Sequence, residues 1–100
     1  MKKKLNFIEK IHHKKKISKP IFYKLILLND DFTTMDFVVK ILIMFLNKTK
    51  IQATSLMMKV HNEGYAICGL YTIDLAKSIQ KNIHNYSMIN HQPLKCIIKK

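Results

Sequence analysis

Two threonines signal where helices are expected to begin in this chain. Thr33-Thr34-Met35-Asp36 and Thr49-Lys50-Ile51-Gln52 each set a threonine three residues ahead of an acid or an amide. In that arrangement the hydroxyl oxygen accepts a backbone N–H of the first turn while the acid or amide reaches back, so two otherwise unpaired donors are satisfied. The spacing predicts Thr33 as the cap of one helix, with Asp36 reaching back, and Thr49 as the cap of the next. The first helix should run to about Asn47 and be largely buried, because residues 37–46 are apolar apart from Lys40. The second should carry Ala53, Met57, Val60 and His61 on one face. It should stop at Gly64, where a left-handed C-terminal cap is expected.

Strand-like segments flank this helix pair. Residues 22–28 are apolar and β-prone and run into the polar turn Asn29-Asp30-Asp31. Residues 65–71 read as a second strand. Thr72 and Asp74 open a third helix that should end near Tyr86, and Pro93 precedes a short last strand over residues 94–98. The expected order is β-α-α-β-α-β, an α+β fold with three short strands in one sheet and helices covering one face.

A chain of 100 residues supports one domain and buries a limited fraction of its surface, so a deep multi-part active site is not expected. Residues 1–19 carry eight lysines against Glu9 and read as a flexible basic tail, closed by Pro20; residues 20–100 read as the folded domain. No apolar run approaches the ~18–20 residues of a membrane span, and no apolar stretch of signal-peptide length follows the basic start. A cytoplasmic home with no membrane contact is the default expectation. Cys68 and Cys96 sit in separate apolar segments without metal-ligand spacing and read as buried thiols.

The net charge of +12 invites a second reading, a basic protein bound to nucleic acid or the ribosome. Every basic residue is Lys and none is Arg, the favoured bidentate reader of phosphate and guanine, which argues against a nucleic-acid partner.

Three features could carry chemistry. Asn29, Asp30 and Asp31 stand at a strand end. Adjacent carboxylates can bind a metal, share a proton or receive a cation; equally, these residue types suit turn and cap geometry. His61 shares a helix face with Met57 and can be either a satisfied core histidine or a polar group at the end of a helix. Met35, Met57 and Met58 can be core filler or the lining of an adaptable apolar pocket. No Ser or Cys has a His–carboxylate pair nearby in sequence, and there is no Gly-rich phosphate loop or zinc spacing. The expectation is a non-enzyme without cofactor or metal. As chemistry, Asn, two Asp and His beside apolar side chains suit capture of an ammonium group next to a hydrophobic side chain.

The run Tyr23-Lys-Leu-Ile-Leu-Leu-Asn-Asp-Asp-Phe-Thr-Thr-Met-Asp-Phe-Val-Val resembles the signature of the ClpS family, the adaptors of ATP-dependent Clp proteases. The similarity continues through Ala53-Thr54, Met57-Met58-Lys59-Val60-His61, Gly64, Ala66-Ile67-Cys68-Gly69 and Pro93-Leu94-Lys95-Cys96, with spacing preserved. It implies a three-stranded antiparallel sheet packed against three helices. It also implies an adaptor for proteins whose first residue is Leu, Phe, Tyr or Trp, presented to the N-terminal domain of a Clp AAA+ ATPase of ClpA or ClpC type. By resemblance, Asn29, Asp30, Asp31 and His61 surround the substrate's α-amino group. Leu27, Thr33, Met35, Val38, Met57, Val60 and Leu94 line the hydrophobic pocket. Asp74 contributes to ATPase docking, and the adaptor acts as a monomer. If the strand continued past Leu28, Asn29 and Asp31 would point the same way. Three departures stand out: Thr34 replaces the family's usual proline, Ile79 stands where the docking surface is often basic, and the tail is unusually lysine-rich.

Overall fold

A computed structural model describes residues 20–100, and the tail expected over residues 1–19 lies outside them. The elements follow the order β1 (Tyr23–Leu28), α1 (Met35–Leu46), α2 (Lys50–Glu63), β2 (Tyr65–Tyr71), α3 (Ile73–Ile89) and β3 (Lys95–Lys99). The strands form one antiparallel sheet in the order β2-β1-β3, so the strand that leads into the Asn-Asp-Asp turn is the central one. Between Leu25 and Ile26 the register against β2 shifts, leaving Cys68 as the extra residue of a bulge.

Strand alternation decides which side chains meet the helices. Leu25, Leu27, Ala66 and Cys68 are buried with Ile41, Leu42, Ala53, Val60, Ala76 and Ile83 in one core. Ile26 lies on the opposite face but is still 7% exposed, because Ile67 and Ile97 are its direct neighbours across both ladders. α1 and α3 meet through aromatic rings. Tyr86 stacks on Phe37 at 5.8 Å and meets Phe45 edge-on at 5.6 Å, with the Lys40 ammonium 5.6 Å above the Tyr86 ring. The Gln80 side chain donates to the Cys96 carbonyl at 2.8 Å and ties α3 to β3.

The α2 cap forms as the spacing predicts. The Thr49 hydroxyl accepts from the Gln52 N–H at 3.1 Å, and the Gln52 side chain accepts from the Thr49 N–H at 3.0 Å. The α1 cap is displaced by one residue. Thr34, not Thr33, is the cap residue, and its hydroxyl accepts from the Phe37 N–H at 3.1 Å. Asp36 does not reach back to Thr33, whose N–H donates to the Asp30 carbonyl instead. The expected burial of α1 also holds on one side only. Phe37, Val38, Ile41, Leu42 and Leu46 are buried, while Ile43 and Met44 face outward. At the other end of the chain, α3 runs three residues past Tyr86 to Ile89, and β3 starts at Lys95 rather than Leu94.

Both cysteines are free thiols; Cys68 is buried and Cys96 half-buried, less enclosed than the sequence suggested. Burial pushes Cys68 up to about 11 and Cys96 up to about 12, so both stay protonated at neutral pH and neither is an activated nucleophile.

Candidate functional site

β1 ends at Leu28, and the next backbone group sets the site. The Asn29 N–H donates to the Gly64 carbonyl at 2.9 Å, which clips the strand end to the C-terminus of α2. Gly64 has φ +92°, a left-handed conformation that glycine adopts freely, and its N–H donates to the Val60 carbonyl. That clip brings the last turn of α2, and His61 with it, beside the Asn-Asp-Asp turn. A Cβ at Gly64 would touch nothing within 4 Å, so Gly64→Ala isolates the conformational cost. We expect Gly64→Ala to destabilise the fold by about 1–2 kcal/mol, visible in a denaturant midpoint.

After Asn29 the chain turns sharply. An Asp30 carboxylate oxygen accepts from the Phe32 N–H at 2.9 Å, and the Asp30 carbonyl accepts from the Thr33 N–H at 3.1 Å. The Thr34 N–H donates to the side-chain oxygen of Gln92 at 3.0 Å, a partner 58 residues away in sequence. The turn is therefore held from three sides, by α2, by its own Asp30 and by the segment before β3.

These restraints shape a cavity of about 280 Å³ lined by Asn29, Asp30, Asp31, Thr33, Thr34, Met35 and His61. The volume falls just below the ~300–1,000 Å³ of small-molecule sites. His61 is exposed, which removes the core-histidine reading. No hydrogen bond engages the Asp31 carboxylate among the described residues, whereas Asp30 already spends one acceptor on the turn. Thr33 lines the cavity, and its hydroxyl is buried without a hydrogen-bond partner. Met35, at the start of α1, is 42% exposed and belongs to the lining. Among the described residues no three His, Cys, Asp or Glu side chains converge as a metal set, so Asp30, Asp31 and His61 are not arranged as ligands of one ion.

The remaining residues implied by the resemblance sit elsewhere. Leu27, Val38, Met57, Val60 and Leu94 belong to the buried core and do not line this cavity; Leu94 also walls a separate groove between α3 and β3. Asn29 and Asp31 do not alternate as strand residues, because the strand has already ended, yet the turn brings both to the same cavity. Asp74 is exposed in the first turn of α3, while Ile79, on the same helix, is buried. Sequence reading missed Thr34, a cap and a lining residue at once, and Gln92. Nothing near Gln92 in sequence signals a role 58 residues away.

Residues 18–97 match the family model for ClpS, ATP-dependent Clp protease adaptor protein ClpS. The ATP-dependent Clp protease adapter protein ClpS of Nitrosomonas eutropha is 44% identical over 87 residues, spanning 87% of this chain and 84% of that protein. Its counterpart in Gluconobacter oxydans is 44% identical over 82 residues, spanning 82% of this chain and 69% of that protein. Among solved structures, Agrobacterium tumefaciens ClpS2 bound to L-phenylalaninamide superposes with a TM-score of 0.77 at 27% identity, over 81% of this chain and 98% of that one. No helix among the described residues is long and apolar enough to cross a membrane.

Proposed function

The chain belongs to the ClpS family of ATP-dependent Clp protease adaptor proteins, and on that premise we propose that it captures polypeptides by a bulky apolar first residue and hands them to a Clp ATPase. The observation that carries this reading is the convergence of Asn29, Asp30, Asp31 and His61 on one small cavity that the half-exposed Met35 also lines. L-Phenylalaninamide, the ligand of the ClpS2 relative, has the chemistry such a cavity suits: a free α-ammonium, an apolar side chain and an amide. In this chain the ammonium donates to Asp31, to the Asn29 side-chain oxygen and to the unprotonated nitrogen of His61. The Thr33 hydroxyl pairs with the ligand backbone. The side chain points past Met35 toward the apolar layer formed by Leu27, Val38, Met57, Val60 and Leu94. The domain does no covalent chemistry. It acts as a monomer in the cytoplasm and docks on the N-terminal domain of a ClpA- or ClpC-type ATPase through the face that bears Asp74.

A peptide series that differs only in the first residue tests this. Leu, Phe, Tyr and Trp are expected to bind, and Lys, Asp and Gly to bind poorly; indifference to the first residue would overturn the proposal. Met35 makes a sharper version of the same test. Ile and Val branch at Cβ, close to the backbone, where a rim is tightest, whereas Leu branches one carbon further out. Met35→Ala is expected to bring the Leu-to-Ile affinity ratio close to one while weakening Leu only modestly, since little contact area is lost at about 25 cal/mol per Å². An unchanged ratio would assign selectivity to the layer beneath.

A further inference from the structure

Resting on the reading above, we propose that the hollow on the other side of the Asp30–Thr34 turn is a second subsite. It takes an apolar side chain from the second to fourth residue of the same captured polypeptide. Phe32 stands between Asp31 and Thr33, both of which line the amine-binding cavity, yet its own ring faces a different hollow. That hollow measures about 470 Å³ and is walled by Phe32, Ser87, Met88, His91, Gln92 and Pro93. Adjacent Cα atoms are about 3.8 Å apart, so a single residue separates the two sites along the turn. An extended polypeptide advances ~3.3–3.6 Å per residue. Its second to fourth residues therefore reach across a turn of this width once the first is seated.

Three observations mark the hollow as a binding surface rather than a surface irregularity. Phe32 is 82% exposed and Met88 64% exposed, and large apolar side chains left side by side in water are typical of interaction sites. Ser87 is 3% exposed, lines the hollow, and its hydroxyl has no hydrogen-bond partner. A buried, unpaired hydroxyl is a standing cost, which a peptide N–H or C=O would relieve. The hollow is also mechanically joined to the first site. The Gln92 N–H donates to the Ser87 carbonyl at 2.9 Å while the Gln92 side chain holds the Thr34 N–H. The wall carries no Lys, Asp or Glu, so it favours an uncharged apolar side chain over a charged one.

The test uses the full chain and peptides that begin with Leu and continue in Ser, with Phe placed at position two, three or four. Phe at one of these positions should raise affinity about five- to tenfold over the all-Ser peptide, the scale of partly burying one aromatic ring. In Phe32→Ser that advantage should fall below about twofold, while L-phenylalaninamide, which ends before the hollow, binds unchanged. The variant alters a highly exposed side chain, so the fold is not at stake. Ser87→Ala should keep or raise thermal stability, weaken the peptides about threefold, and leave L-phenylalaninamide unaffected. If Phe helps at no position, or helps equally in Phe32→Ser, the second subsite is wrong even though the first stands. If L-phenylalaninamide fails to bind the unmodified chain, the first-residue reading falls and this proposal falls with it.

Discussion

Acetylating the N-terminus of a Leu-first peptide is expected to weaken its binding by at least about a hundredfold, the scale of losing two charge-assisted hydrogen bonds. The free ammonium carries three donors and a positive charge. The cavity lining includes several acceptors: the Asp31 carboxylate, the second Asp30 oxygen, Asn29 and His61. Acetylation removes the charge and two of the three donors, and it adds bulk where the acceptors converge. The acceptors would then lose their water without gaining a partner. Anisotropy titrations of paired peptides at ~0.15 M salt decide the matter, because at that ionic strength the Debye length is only ≈ 8 Å and general attraction is largely screened. An N-methyl peptide separates charge from bulk, since it keeps the charge and two donors and should bind between the two. Equal affinity of free and acetylated peptides would end the amine-capture model.

The parts legible in the sequence are those set by local backbone chemistry. Thr49-Lys50-Ile51-Gln52 forms its full capping box, and Gly64 ends α2 at φ +92°, because each depends on neighbours within one helical turn. The α1 cap moved from Thr33 to Thr34 for a physical reason. Two adjacent threonines offer the same hydroxyl, and the Thr33 N–H, held by the Asp30 carbonyl, is closed to the reach-back from Asp36 that a capping box on Thr33 needs. The family's usual proline position is thus the cap itself here, and Thr34 supplies the hydroxyl that a proline lacks. The polar half of the site was legible because Asn29, Asp30 and Asp31 are consecutive and His61 precedes the terminating glycine. Apart from Met35, the apolar residues implied by the resemblance do not share in that cavity. Val38, Met57 and Leu94 are packed in the core, and no sequence pattern separates a pocket wall from core filler. Gln92 was invisible, since a bond across 58 residues has no local signature.

Asp31→Ala and His61→Ala should each lower peptide affinity about five- to 150-fold, the scale of one charge-assisted hydrogen bond at ~1–3 kcal/mol, with little change in thermal stability. The two carboxylates are not equivalent. Asp30 holds the Phe32 N–H at 2.9 Å, so Asp30→Ala would disturb the turn as well as the site. Asp30→Asn keeps a side-chain oxygen for that bond and changes only the charge. Asp31 has no such structural task among the described residues, and its loss should register in affinity alone. His61 is exposed at the end of α2, outside the core formed by Ala53, Met57 and Val60 on the same helix, so truncating it leaves no core cavity. Melting curves recorded beside the titrations separate the two roles. A lowered melting temperature with undiminished affinity in His61→Ala would make the imidazole a structural group. Unchanged affinity in both variants would leave the ammonium to Asn29 and Asp30, and Asp30→Asn would then show the larger loss.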